Sequence, residues 1–235
     1  MPIYRVMLAE TPDNAASQLR LLHFLSPALP VGAYSYSQGL EWAVQNEWVA
    51  NEADFEQWVT EQIGSTLALQ ELPLLRRLHK AARNNDVAAA DKWSQTALAV
   101  RDTAEQRQEE RDRALAYLRV LDTVTAIDKS WQRQWFERSQ LISMAWFSVQ
   151  HAITESSLVM AFAHNWLESH LITGVKIVPL GQSSAQRLLY ELAPVLLTGA
   201  KTSMTIKDED VGISLPALSM ASSEHETQYS RVYRS

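Results

Sequence analysis

Residues 51–67, NEADFEQWVTEQIGSTL, show the pattern that decides the fold of this chain. Asn51 is a favoured N-cap residue, and Asp54 places a negative charge near the positive end of the helix dipole. Apolar side chains then recur at the spacing of one helix face: Phe55, Trp58, Val59, Ile63 and Leu67. The stretch therefore predicts an amphipathic helix that begins directly after Asn51.

The same apolar spacing continues along almost the whole chain, and few residues interrupt it. Glycine and proline together make up 15 of 235 residues, about 6%, where about 12% is usual. One run, Gly174 to Pro179, has a strand-like composition but is too isolated to build a sheet. We predict an all-α bundle of about ten helices that forms a single domain over residues 1–235, with an N-terminal extension at 1–13.

The composition excludes several classes of protein. The chain contains no cysteine, which excludes a disulfide framework, a thiol nucleophile and a cysteine-based metal site. Its net charge of −6, with no cluster of basic residues longer than a pair, argues against a nucleic-acid partner. The longest apolar stretch, Leu141 to Val149, is about half as long as a membrane span. We expect a cytoplasmic protein that has neither nucleic acid nor membrane among its partners.

Motifs of enzymes and metal sites do not stand out. The chain has no glycine-rich phosphate loop and no GxSxG nucleophile motif. None of its histidines forms the i, i+4 pair of a helical metal site. They are His23, His79, His151, His164, His170 and His225. We predict no catalytic residue, no metal site and no cofactor.

Two segments depart from the amphipathic pattern. Residues 25–41, LSPALPVGAYSYSQGLE, hold two prolines, two glycines and two tyrosines, more than a helix–helix turn needs. This segment is either an ordered loop that plugs the bundle or a rigid tyrosine-rich surface for a partner. Residues 222–235 form a polar tail in which tyrosine and arginine alternate. Such an end is either frayed or becomes ordered on a partner, and we predict the second.

A third segment, residues 103–113, is dense in charges of both signs three and four residues apart. This pattern is typical of a solvated helix face with weak ion pairs. We therefore expect this part of the chain to be exposed.

Four segments in this order resemble the signatures of the UreF family of urease accessory proteins. They are LPVGAYSYSQGLE at 29–41, the alternating Arg and Glu of 101–113, GVKIVPLGQ at 174–182 and HETQYSRVYRS at 225–235. The resemblance covers the chain from about residue 17 to its end. It implies an all-helical, non-enzymatic homodimer. It also implies that the protein joins the accessory protein UreD, also called UreH, and the GTPase UreG on apo-urease, where nickel is delivered.

The resemblance also implies which residues contact partners. The N-terminal surface comprises Gly32, Tyr34, Ser35, Ser37, Gly39 and Glu41. The residues that face the GTPase are Lys176, Gln182 and Gln186. The residues that contact the UreD-type partner are Tyr229, Arg231, Tyr233 and Arg234. Gly32 and Gly39 have a structural alternative, since glycine also permits a positive φ or a close approach of helices.

Two other functions remain open from the sequence. The first is catalytic activation of the GTPase in trans, for which Glu41, Arg101, Arg107 and Gln182 are the candidate side chains. The second is a nickel carrier that uses His225 and other histidines. Since the chain lacks cysteine and histidine pairs, its composition favours passing nickel on over holding it.

Overall fold

A computed structural model describes residues 15–235, and the predicted extension at 1–13 lies outside this range. The described residues form helices and loops without any strand, so the all-α prediction is confirmed. In chain order the helices are α1 (Ala15–Phe24), α2 (Leu40–Gln45), α3 (Glu52–Gln62), α4 (Leu72–Arg83), α5 (Val87–Ala99), α6 (Ala104–Val124), α7 (Arg133–Arg138), α8 (Gln140–Gln150), α9 (Glu155–Ile177), α10 (Gln182–Glu191), α11 (Ala193–Thr202) and α12 (Pro216–His225).

Helix α3 begins where the sequence predicts. The side chain of Asn51 accepts hydrogen bonds from the backbone N–H groups of Ala53 and Asp54, at 2.9 and 3.1 Å. This contact satisfies two of the donors that every helix leaves unpaired at its N-terminus.

A π-helical segment, Ile63–Glu71, joins α3 to α4 without a break. Pro73 stands in the first turn of α4 and has no N–H to donate to the carbonyl of Leu69. That carbonyl accepts instead from the N–H of Gly212, at 3.3 Å. Because Pro73 has no N–H, the carbonyl of Leu69 is left open to a distant loop.

Helices α4 and α8 pack against each other in the centre of the bundle. The α4 residues Leu72, Leu74, Leu75 and Leu78 are completely buried. Helix α8 is apolar and buried on nearly every side, as expected for a helix surrounded by others. No helix among residues 15–235 is long and apolar enough to cross a membrane.

The strand-like prediction for Gly174 to Pro179 is wrong, because α9 continues to Ile177. Gly174 lets α9 pack directly on the ring of Phe55, since a Cβ at this position would lie 2.6 Å from Phe55 Cζ. The helix then ends because Val178, which precedes Pro179, takes an extended conformation with φ −103° and ψ 149°. Close packing between helices thus overrides the β propensity of Val175 and Ile177.

Candidate functional site

The segment at residues 25–41, here called the N-terminal loop, and the tail at 222–235 form one structure. The main-chain oxygen of Ser235 accepts hydrogen bonds from the N–H groups of Ser37 and Gln38, at 2.5 and 3.0 Å. It also accepts one from the Ser37 hydroxyl, at 2.6 Å. The N–H of Arg234 donates to the carbonyl of Ser35 at 3.0 Å. The tail, which we expected to become ordered on a partner, is therefore already ordered against its own chain.

The carboxylate of Glu41, at the start of α2, holds the middle of the tail. One of its oxygens accepts from the N–H of Val232 at 2.7 Å, and the other from the N–H of Tyr233 at 2.9 Å. The second oxygen also lies 3.2 Å from Nε2 of His225, a fully buried side chain at the end of α12. Glu41 is therefore committed to contacts inside the chain.

His225 links Glu41 to a second carboxylate. Its Nδ1 lies 2.7 Å from Oε2 of Glu105, in the first turn of α6. The other oxygen of Glu105 accepts from Arg231 of the tail at 2.5 Å. Both ring nitrogens of His225 thus face carboxylates, and the side chain is not accessible as a metal ligand from solvent.

Two glycines of the N-terminal loop have the structural role that we considered. Gly32 and Gly39 have positive φ values of 71° and 81°, in the region that favours glycine. At Gly39 a Cβ would also lie 2.9 Å from the backbone nitrogen of Ser222. This glycine therefore permits the close approach of α2 and α12.

Lys176, Gln182 and Gln186 line one groove between α9 and α10. The groove adjoins the N-terminal loop, because Nζ of Lys176 lies 5.5 Å from the centre of the Tyr34 ring. All three side chains are exposed, and so is Tyr34. The structure therefore brings the residues that we assigned to the GTPase next to the tyrosine of the N-terminal surface.

The other assigned residues divide into exposed and buried groups. Tyr229, Arg231 and Arg234 are exposed on the tail. Tyr233, by contrast, is only 6% exposed, and Ser37 only 2%. The four-residue spacing of the two tail tyrosines gives no common face because α12 ends at His225. The exposed contact surface is therefore smaller than the sequence suggests.

The expectation of a solvated face at residues 103–113 is wrong in part. Glu109 and Glu110 are 5% and 2% exposed. Arg101 donates to both Glu110, at 2.8 Å, and Glu71 of the π segment. Burial alone lowers the pKa of Arg101, but the two carboxylates outweigh burial and raise it. The guanidinium therefore stays charged inside the bundle.

This buried network reaches the tail through Glu109. Its carboxylate accepts from Arg113 at 3.0 Å, from Gln38 at 2.8 Å and from the Ser235 hydroxyl at 3.2 Å. The sequence contained one signal of this arrangement. Consecutive residues of a helix point about 100° apart, so Glu109 and Glu110 cannot both lie at the centre of one narrow exposed face.

Within residues 15–235 no group of three or more His, Asp or Glu side chains is arranged to hold a metal ion. The arrangement instead supplies an ordered surface made of the N-terminal loop, the tail and the groove that contains Lys176. We call these three parts together the composite surface.

Comparison with known proteins identifies the family. The UreF family model matches residues 49–193. Urease accessory protein UreF of Citrobacter koseri is 43% identical over 94% of this chain and 99% of its own length. The protein of the same name from Pseudomonas putida strain W619 is 44% identical over 92% of this chain and 97% of its own length. The one from Klebsiella pneumoniae strain 342 is 40% identical over 95% of this chain and its full length. The chain therefore belongs to the UreF family of urease accessory proteins.

Proposed function

We propose that this protein is a non-enzymatic adaptor that joins a UreD-type accessory protein to a UreG-type GTPase on apo-urease. In this proposal nickel is cargo that passes to the urease active site, and the chain holds no cofactor of its own. The observation that carries the proposal is the composite surface, in which the N-terminal loop is bonded to the tail and its Tyr34 lies beside Lys176 of the groove.

The groove with Lys176, Gln182 and Gln186 is the proposed contact for the GTPase. Its apolar wall includes Ile172, which is 36% exposed. An apolar groove with one lysine and two glutamines among its lining residues can pack against the apolar side chains of a partner and hydrogen-bond to its polar groups. Tyr34 extends this surface toward the N-terminal loop.

The exposed side of the tail is the proposed contact for the UreD-type partner. Tyr229 is fully exposed, Val232 is 83% exposed, and Arg231 is half-exposed next to them. Tyrosine and arginine are the residue types that carry most binding energy at interfaces. Glu41 already holds the backbone of the tail. Binding a partner therefore costs less conformational entropy than it would if the tail were free.

The structure does not favour catalytic activation of the GTPase in trans. Arg101 is enclosed by Glu71 and Glu110, and Glu41 is occupied by the tail. Arg107 donates to the carbonyl of Arg101 at 2.7 Å. Of the four candidates only Gln182 is exposed. A GTP turnover assay decides this point, because a catalytic role requires acceleration that disappears with a single side chain.

Separate variants for the two contacts test the proposal. We expect Lys176→Ala to reduce recovery of the GTPase in co-purification and to keep the UreD-type partner. We expect Tyr229→Ala combined with Arg231→Ala to show the opposite pattern. Lys201→Ala, at another exposed lysine near the end of α11, and Arg133→Ala, which breaks an exposed ion pair with Asp122, are the matched controls.

Loss of both partners by either variant, at unchanged circular dichroism, would argue against two separate contacts. If both variants recover both partners as well as the unaltered chain does, the composite surface is not where the partners bind. The proposed homodimer is measured in the same preparations by sedimentation equilibrium, and the proposed cytoplasmic location by cell fractionation.

A further inference from the structure

A surface pocket of about 320 Å³, here called the arginine pocket, lies between the N-terminal loop, α6 and the end of the tail. Helix α6 lines it with Asp112, Leu115 and Arg119, which are three and four residues apart and therefore share one face of the helix. The tail lines it with Arg234, whose N–H donates to the carbonyl of Ser35, another lining residue, at 3.0 Å. The pocket thus combines arginines from two distant parts of the chain.

Asp112 is the one acidic side chain that lines this pocket in the described part of the chain, and neutral donors already occupy it. Its Oδ2 accepts from the hydroxyl of Tyr36 at 3.0 Å, and its Oδ1 accepts from the side-chain amide of Gln108 at 2.8 Å. Burial and the hydrogen bond to Asp112 raise the pKa of Tyr36 to about 12, so the hydroxyl keeps its proton and remains a donor. Asp112 is therefore held by groups other than the two arginines.

The two arginines of the pocket are left without an acidic partner. Within residues 15–235 neither Arg119 nor Arg234 forms an ion pair, and both side chains are exposed. Two guanidinium groups and one carboxylate give the pocket an excess of positive charge on a chain whose net charge is −6. Guanidinium groups bind carboxylates through paired, charge-assisted hydrogen bonds. The chemistry of the pocket therefore suits a second carboxylate, supplied from outside the chain.

The rest of the lining indicates that this carboxylate belongs to a protein. Leu115 is 40% exposed, and the exposed Pro30 lines the same pocket. A free inorganic anion would leave these apolar groups in water. A polypeptide that has an apolar residue beside its acidic one would cover them, and the removal of apolar surface from water favours binding.

We propose that the arginine pocket binds an aspartate or glutamate side chain of the UreD-type partner, and that an apolar neighbour of that residue packs on Leu115. The inference rests on the adaptor function proposed above, and it adds a contact on α6 to the contact made by the tail. The pocket is bounded by the N-terminal loop and the tail, so it is continuous with the surface proposed for this partner. Arg119 and Leu115 are the additional contact residues.

The dissociation constant of the complex with purified UreD-type protein, measured by biolayer interferometry in 50 and 500 mM NaCl, tests the inference. Arg119→Gln removes one charge and keeps a polar side chain, and Leu115→Ala removes the exposed apolar group. Arg111→Gln, at an exposed position of α6 outside the pocket, is the matched control. All three positions are exposed, and unchanged circular dichroism verifies that the variants fold.

We expect Arg119→Gln to raise Kd about tenfold in 50 mM NaCl, mainly through slower association, and about twofold or less in 500 mM NaCl, where salt screens the contact. Leu115→Ala should raise Kd about fivefold at both salt concentrations, because apolar contacts are not screened. Arg111→Gln should leave Kd unchanged. Arg119→Glu should abolish binding, and replacing one acidic residue of the partner by lysine should restore it.

An unchanged Kd with Arg119→Gln, while Tyr229→Ala combined with Arg231→Ala loses the partner, would overturn the pocket and leave the adaptor function standing. Equal weakening by Arg119→Gln and Arg111→Gln would show that overall charge matters rather than the pocket, and would overturn it too. An effect of Arg119→Gln without any effect of Leu115→Ala would overturn the apolar half of the contact. Failure of the unaltered chain to bind the UreD-type protein at all would overturn the adaptor function and, with it, this inference.

Discussion

Replacing Arg101 by alanine tests whether the buried charge network holds the bundle together. The Arg101 side chain is 10% exposed, and its partners Glu71 and Glu110 are 7% and 2% exposed. The variant leaves two carboxylates inside the protein without the guanidinium that both of them contact. Removal of one partner from a buried ion pair typically costs about 3–5 kcal/mol. We expect the free energy of unfolding to fall by that amount.

Urea unfolding followed by tryptophan fluorescence measures this loss at pH 7. Each kcal/mol corresponds to about 2–4 °C in the melting temperature of a protein of this size, so a thermal scan gives an independent value. Arg111→Ala, at an exposed position of α6, is the control and should stay within about 0.5 kcal/mol of the unaltered chain. The free energy of unfolding of Arg101→Lys should lie between those of Arg101→Ala and Arg111→Ala. The ammonium keeps the charge but lacks the planar guanidinium that contacts two carboxylates. For Arg101→Ala, a loss below about 1 kcal/mol at pH 7, or a loss equal to that of Arg111→Ala, would refute the structural role of this network.

Three further predictions concern stability and are measured by urea unfolding. Gly39→Ala should cost more than Gly32→Ala, because only Gly39 combines a positive φ with a backbone contact at 2.9 Å from the added Cβ; equal costs would contradict the close approach of α2 and α12. Gly174→Ala should destabilise by about 1–3 kcal/mol through overpacking against Phe55, and Phe55→Leu in the same chain should restore part of the loss; no recovery would place the strain elsewhere. Burial lowers the pKa of His170 in the folded chain to about 4, below the free value of 6.5. The unfolded chain therefore binds more protons between pH 6.5 and 4, and stability decreases as the pH is lowered through this window. His170→Asn should show a smaller decrease from pH 6.5 to 4, by about 3 kcal/mol, and parallel curves would show that burial of His170 does not contribute.

The sequence predicted a helix most accurately where the local signals, a capping residue and an apolar face, favour the same structure as the tertiary packing does. The Asn51 cap and the apolar face that follows it define α3 in both sequence and structure. The prediction for Gly174 to Pro179 was wrong because the β-branched residues of this segment favour a strand locally, whereas contact with Phe55 favours a helix. A contact between residues 55 and 174 is not visible in a local pattern.

The candidate site shows the same limit. The N-terminal loop and the tail stood out from the sequence because their composition departs from that of an amphipathic helix. Their mutual docking depends on Glu41, which contacts residues almost two hundred positions away. The burial of Glu110 likewise depends on Ser139 and Gln140 of another part of the chain. These tertiary contacts decide which assigned residues are exposed, and no spacing rule supplies them.

The adaptor role is tested most directly by a co-purification with three components. A tagged UreD-type protein is mixed with untagged UreG-type GTPase, in the presence and in the absence of this chain. We predict that the GTPase is recovered only when the chain is present, and that Lys176→Ala lowers its recovery whereas Lys201→Ala does not. Recovery of the GTPase without the chain, or failure to recover it with the chain bound, would contradict the account.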